Sequence, residues 1–282
     1  MDILISILFG IVEGITEWLP ISSTGHLILL EQFIEFKNVS SNFFDMFEVV
    51  IQLGAILAVV VMYWKNIFPI TKNTDNGYKK TGILSHIDKN IISMWGKILV
   101  ACIPAAIIGI LLDDKINELF YNPTVIAIAL IVFGIAFIFI ENWHKAKKSK
   151  PRVSDPMQLT YRDALIIGIF QLIAAIFPGT SRSGATIIGG LLIGLSRTTA
   201  AEFTFYLAIP VMFGASLLKL IKFGFAFTGM ELAILIVGMI TAFLISVLVI
   251  KFLMNYIKKH DFKPFGWYRI VLGILVFITL VF

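Results

Sequence analysis

Residues Gly168 to Thr186 read GIFQLIAAIFPGTSRSGAT. An apolar run stops at Pro178, a Gly/Ser/Thr stretch carrying Arg182 follows, and apolar sequence then resumes. Whether this segment crosses a bilayer or turns back inside it decides the fold. A second string, Gly10 to His26, reads GIVEGITEWLPISSTGH and matches the first. Both begin Gly-Ile, carry Glu13 or Gln171 three residues later, reach Pro20 or Pro178, and end in small hydroxyl residues. Carboxylates, an imidazole and a guanidinium cost much free energy in hydrocarbon, so their presence there points to function.

The surrounding chain is membrane-like. Of its 282 residues 58% are hydrophobic and only 15% charged, against about 25% charged in soluble domains. Mean hydropathy is +0.92. Four apolar runs read as spans: Val49 to Trp64, Thr124 to Ile140, Glu231 to Ile250 and Phe265 to Phe282. Two more contain proline, Ile98 to Leu112 with Pro104 and Phe203 to Leu218 with Pro210. Proline is tolerated in spans when neighbours satisfy the freed carbonyl. Asp2 stands where a signal peptide would carry basic residues, so no cleavable signal is expected. The single Cys102 excludes an intrachain disulfide. The net charge of +5 does not imply nucleic acid, because the basic residues sit between spans.

Three connections are basic. They are 65–97 (Lys65, Lys72, Lys79, Lys80, Lys89, Lys97), 142–163 (Lys145, Lys147, Lys148, Lys150, Arg152, Arg162) and 251–264 (Lys251, Lys258, Lys259, Lys263). The connections 31–46, 113–123 and 219–229 hold only Lys37, Lys115, Lys219 and Lys222. The positive-inside rule places the three basic loops in the cytoplasm. Two spans separate residues 196–202 from 251–264, so 196–202 is cytoplasmic as well. The segment 164–195 must therefore cross an even number of times. It is too short for two spans of about 20 residues and a turn. A re-entrant helical hairpin with its tip at Pro178 to Gly184 solves this, since irregular backbone is acceptable where protein or a wet cavity surrounds it.

By analogy, residues 3–30 form a hairpin entering from outside. Glu48 and Glu202 each stand five residues before a leucine, Leu53 and Leu207, which supports a repeat. The expected fold is an all-α polytopic membrane protein, one integral domain over 1–282. Its halves, about 1–141 and 164–282 around the linker 142–163, form an inverted repeat with a period of about 155 residues. Each half is a re-entrant hairpin plus three transmembrane helices.

The strings carry chemistry. Arg182 supplies a planar donor fork suited to phosphate, and Ser181, Ser183 and Thr186 add hydroxyls. A helix starting near Ser183 would aim its first N–H groups at an anion. No Walker ending follows, so this is not a P-loop. Glu13 and Glu17, four apart, share a helix face, where they share a proton, bind a metal or pair with Arg182. Ser22, Ser23 and Thr24 precede His26, whose imidazole suits proton transfer. A hydroxyl and an imidazole so close can form a nucleophile and its base. His86, His144 and His260 lie in basic loops and read as solvated. Glu48 and Gln52 share a face near the start of a span, within possible reach of the site.

These residues resemble the undecaprenyl-diphosphate phosphatases of the bacitracin-resistance type. One family signature stands here as Glu13, Glu17, Pro20, Ser22, Ser23, Thr24, Gly25 and His26. The other stands as Pro178, Gly179, Ser181, Arg182, Ser183, Gly184 and Thr186. Phe47 to Trp64, FEVVIQLGAILAVVVMYW, is similar too. The resemblance implies a bacterial plasma-membrane hydrolase that converts undecaprenyl diphosphate to the monophosphate and phosphate. That reaction recycles the lipid carrier for cell-wall synthesis and gives bacitracin resistance. It implies a site facing the outer side and a divalent cation, Mg2+ or Ca2+, with Glu13 and Glu17 as candidate ligands. Catalytic roles fall to Glu17, Ser23, His26 and Arg182, with Ser23, His26 or water as nucleophile. Ser22, Thr24, Ser181, Arg182, Ser183 and Thr186 would bind the diphosphate. Membrane lipid is the surrounding partner, and a homodimer is the candidate assembly. The rival is a prenyl-phosphate transporter or flippase using the same phosphate site, since inverted repeats with broken helices are common in transporters. A carrier needs Arg182 and hydroxyls but not a Glu–Ser–His set, which favours chemistry.

Overall fold

The computed structural model describes residues 1–70, 88–146, 150–224 and 226–281. Lys72, Lys79, Lys80, His86, Lys147 and Lys148 lie outside the described residues. The described chain is all-helical. In order come α1 (Asp2–Thr16), α2 (Ser23–Glu31), α3 (Phe43–Val50), α4 (Gln52–Met62), α5 (Trp64–Ile67), α6 (Lys89–Phe120), α7 (Pro123–Ala146), α8 (Tyr161–Ile176), α9 (Arg182–Leu192), α10 (Arg197–Phe223), α11 (Gly229–Ile257) and α12 (Lys263–Leu280).

Six stretches are long and apolar enough to cross a membrane: Phe43–Met62, Lys89–Leu112, Pro123–Ala146, Arg197–Phe223, Gly229–Ile257 and Lys263–Leu280. All six apolar runs of the sequence are among them. Most of their helices outrun the apolar runs, because polar end turns cap the apolar middles. Pro104 and Pro210 both lie inside continuous helices, α6 and α10. On α11 the residues Leu232, Ile236, Ile240, Leu244 and Leu248 recur every fourth position and are all exposed. A stripe of that kind is the face a span turns to lipid.

The two polar strings build something shorter. α1 and α2 are separated by a break at 17–22, and α8 and α9 by a break at 177–181. At 15, 9, 16 and 11 residues, none spans a hydrocarbon core of about 30 Å as a helix rising about 1.5 Å per residue. The breaks share one local device. Ser22 and Ser181 both hold positive φ, 75° and 69°, and both cap the following helix by accepting from the N–H three residues on, Gly25 and Gly184. A non-glycine residue there costs on the order of 1–2 kcal/mol. The cap recovers part of that cost.

Helix pairing follows the same correspondence. α1 lies along α11, α8 lies along α6, and α7 lies along α12. Small residues allow these approaches. A methyl group on Gly10 would meet the Gly238 carbonyl oxygen at 2.7 Å, and one on Gly168 would meet the Ala101 carbonyl oxygen at 2.5 Å. Gly10 and Gly168 are the opening residues of the two matching strings. Gly168→Ala should therefore push α8 off α6 and lower the melting temperature of the detergent-solubilised protein, at about 1–3 kcal/mol of stability. An unchanged melting temperature would contradict the close approach.

Side chains fasten the helix ends. Thr160 with Asp163 and Thr228 with Glu231 form capping boxes at the starts of α8 and α11. Glu231 also accepts from the Ser40 N–H at 2.8 Å, and Asp2 accepts from the Asn38 N–H at 3.2 Å, so the loop after α2 is tied down twice. At the opposite ends Arg197 grips Glu141 through Nε at 2.9 Å and Nη2 at 2.6 Å, and Glu141 also accepts from the Phe262 N–H. That pair joins α7, α10 and the start of α12.

Candidate functional site

The two breaks touch each other. Glu17, the residue that closes α1, is 7% exposed. Its Oε1 accepts from Arg182 Nη2 at 2.7 Å, across from the first residue of α9. Its Oε2 accepts from Ser23 Oγ at 3.0 Å. Its carbonyl accepts from Ser183 Oγ at 3.0 Å. One acidic residue thus joins the serine of the first string to the arginine of the second. Arg182 is further fixed by Nη1 donating to the Thr204 carbonyl on α10 at 3.1 Å. Side-chain exposures of 14% and 8% make the ion pair poorly screened.

The predicted residues separate into two groups by burial. Ser23, Thr24, His26, Ser181 and Arg182 are partly exposed. Ser22, Ser183 and Thr186 are buried, and their oxygens already have protein partners. Ser22 caps α2 and accepts His26 Nδ1 on its carbonyl at 2.7 Å. Ser183 accepts from or donates to Ser181 Oγ at 3.1 Å. Thr186 donates back to the Arg182 carbonyl at 2.9 Å and meets Thr204 Oγ1 at 2.8 Å. Those hydroxyls hold the breaks in shape. Helix α9 starts one residue earlier than Ser183, because Ser181 is its cap. The first N–H groups of α2 and α9 have no intrahelical acceptor; the Ser22 and Ser181 caps take those of Gly25 and Gly184, which leaves the N–H groups ahead of them for an anion.

His26 is not bonded to Glu17, Glu13 or Ser23 among the described residues. Its ring nitrogens meet Ser22 and, at 2.7 Å, the Tyr268 hydroxyl. His26 stands three residues after Ser23 on α2, so both lie on one helix face. Glu13 is fully buried, and neither carboxylate oxygen has a partner. A carboxylate so placed requires a proton, a cation or bound water. Gln171, its counterpart in the second string, instead donates to the Ala101 carbonyl at 3.3 Å. Among the described residues no three of His, Cys, Asp and Glu converge as a metal cluster.

Arg269 escaped the sequence reading. It is fully buried on α12. It donates to the Pro20 carbonyl at 3.3 Å in the first break and to the Gly179 and Thr180 carbonyls at 3.0 and 2.7 Å in the second. Three backbone oxygens that the breaks leave without helical partners are thus satisfied by one guanidinium. The available signal was a lone arginine within the apolar run Phe265 to Phe282. Arg269→Leu should destabilise the detergent-solubilised protein by roughly 3 kcal/mol or more and abolish activity with it, since it strands those carbonyls. Wild-type stability and activity would show that Arg269 is dispensable.

Architecture and cluster together define a multi-pass membrane protein with an arginine–carboxylate–serine centre in its interior. Residues 6–275 match the family described as bacitracin resistance protein BacA. The chain is 63% identical over 276 residues to an undecaprenyl-diphosphatase of Desulfitobacterium hafniense, covering 98% of this chain and 95% of that one. It is 59% identical over 278 residues to undecaprenyl-diphosphatase 1 of Clostridium acetobutylicum, covering 99% and 97%. To an undecaprenyl-diphosphatase of Enterococcus faecalis it is 58% identical over 277 residues, covering 98% and 96%. This chain belongs to the bacitracin resistance protein BacA family.

Proposed function

We propose that this protein is an undecaprenyl-diphosphatase, a membrane hydrolase that releases phosphate from undecaprenyl diphosphate and leaves the monophosphate. The observation that carries the reading is Glu17 bridging Ser23 and Arg182. The terminal phosphate seats between Arg182, Ser23, Thr24 and the free N–H groups at the starts of α2 and α9. Ser23 Oγ attacks the terminal phosphorus while Glu17 Oε2 takes its proton. The bond to the bridging oxygen breaks, and prenyl monophosphate leaves. Arg182 stabilises the charge on the equatorial oxygens. Water then cleaves the phosphoserine, giving phosphate and free Ser23, with His26 on the same helix face as the base.

Glu13 fits a divalent cation, Mg2+ or Ca2+, because both its oxygens are unpartnered and both ions take carboxylate oxygens, Mg2+ often only one or two carboxylates plus substrate phosphates. When bound, the ion neutralises diphosphate charge. Glu17, the second candidate ligand, already has Arg182 and Ser23 on its oxygens.

The two broken pairs are read as re-entrant hairpins, and the halves as an inverted repeat. Support comes from the paired serine caps, the matched glycines and the exchange of partners between α1 on α11 and α8 on α6. With the basic loops in the cytoplasm, the first hairpin enters from outside, and the site is read as open to the outer side. The prenyl chain lies among exposed apolar faces of the spans. Purified protein in detergent should release phosphate from a prenyl diphosphate with multiple turnovers; no release above buffer would overturn the reading. Ser23 placed on Glu17 favours hydrolysis over carriage, because binding alone needs no nucleophile paired with a base.

A further inference from the structure

His26 Nδ1 lies 2.7 Å from the Ser22 carbonyl oxygen. A carbonyl only accepts, so Nδ1 carries the hydrogen. The neutral ring then presents its lone pair at Nε2, where the Tyr268 hydroxyl, 2.7 Å away, donates into it. Held at both nitrogens, the imidazole cannot flip or swing without losing a hydrogen bond. The anchor of the phenol is rigid as well. Tyr268 precedes Arg269 on α12, and Arg269 is fastened to the carbonyls of both breaks. The same α12 turn therefore fixes the break that carries Ser22 and the phenol that meets His26. Tyr268 itself is 47% exposed, so its hydroxyl has room to withdraw when a water or phosphate oxygen takes its place.

We propose that Tyr268 is the positioning residue for His26. Its hydroxyl holds the ring as the Nδ1–H tautomer with the lone pair on Nε2, and yields that lone pair to the hydrolytic water during turnover. The proposal rests on His26 acting in the hydrolysis described above. Hydrogen-bonded second partners of this kind set imidazole orientation and tautomer in other histidine sites. An interfacial tyrosine that merely packs at the membrane boundary would be indifferent to the state of His26.

The test measures phosphate release from a prenyl diphosphate by purified wild type, Tyr268→Phe, His26→Ala and the double variant, with melting temperatures alongside. Tyr268→Phe should keep KM and the melting temperature and lower kcat by roughly three- to tenfold, the loss of one neutral hydrogen bond. In the His26→Ala background, itself down by about 10²-fold or more, the same change should have no further effect. Full activity in Tyr268→Phe would overturn the proposal. So would an equal loss in both backgrounds, or a loss that tracks a fallen melting temperature, since either describes packing alone. Absence of phosphate release by the wild type would instead reject the enzymatic reading itself.

Discussion

Arg182→Ala should lower kcat/KM for prenyl diphosphate hydrolysis by about 10³-fold or more. Two effects add. The variant loses the only guanidinium that the second string brings to Ser23 and Glu17. It also leaves a nearly buried Glu17 carboxylate without its cation, which costs roughly 3–5 kcal/mol when one partner of a buried pair is removed. Arg182→Lys keeps the charge but cannot reach both Glu17 and the Thr204 carbonyl with a planar fork, so it should recover only part of the loss. Wild-type rates in Arg182→Ala would remove the phosphate clamp from the account.

Ser23→Ala should lower kcat by about 10³-fold or more while the protein stays folded. Ser23 is partly exposed, and its side-chain hydroxyl donates to Glu17. Removal of the hydroxyl therefore frees one carboxylate oxygen that still has Arg182 beside it, a mild structural loss. The catalytic loss is large because the attacking oxygen is gone, and Glu17 is left with no hydroxyl to deprotonate. Quenching wild type during turnover with substrate labelled in the terminal phosphate should leave label on the protein, and Ser23→Ala should carry none. Retention of most activity in Ser23→Ala would transfer the attack to water.

Much of the architecture was legible because hydrocarbon imposes simple length and charge rules. The six spans follow from apolar runs, and the prolines at 104 and 210 did not mislead, since neighbouring helices can satisfy a freed carbonyl. The pairing of the two strings was visible because both open on Gly-Ile, place proline ten residues on, and follow it with serine and glycine in the same order. Their shared serine cap with positive φ was not visible, because serine adopts that backbone only when surrounding contacts impose it. Glu17, Ser23 and Arg182 were read as site residues, and the structure brings them together. Which hydroxyls face outward was not legible. Ser22, Ser183 and Thr186 look like Ser23 and Thr24 in sequence, and only the fold shows that they are buried. Arg269 and Tyr268 were missed because they sit about 90 residues beyond the second string in the chain, inside an otherwise apolar span. Only tertiary packing returns them to the breaks.

Glu17 of the first string and Arg182 of the second are proposed to act as a unit. The measurement that tests it is a double-mutant cycle on phosphate release with Glu17→Gln, Arg182→Ala and the combined variant. Each single change should lose nearly as much kcat/KM as the pair, because removing either partner disables the same assembly. Losses that multiply independently would mean that the two breaks contribute separately and would contradict a single shared site.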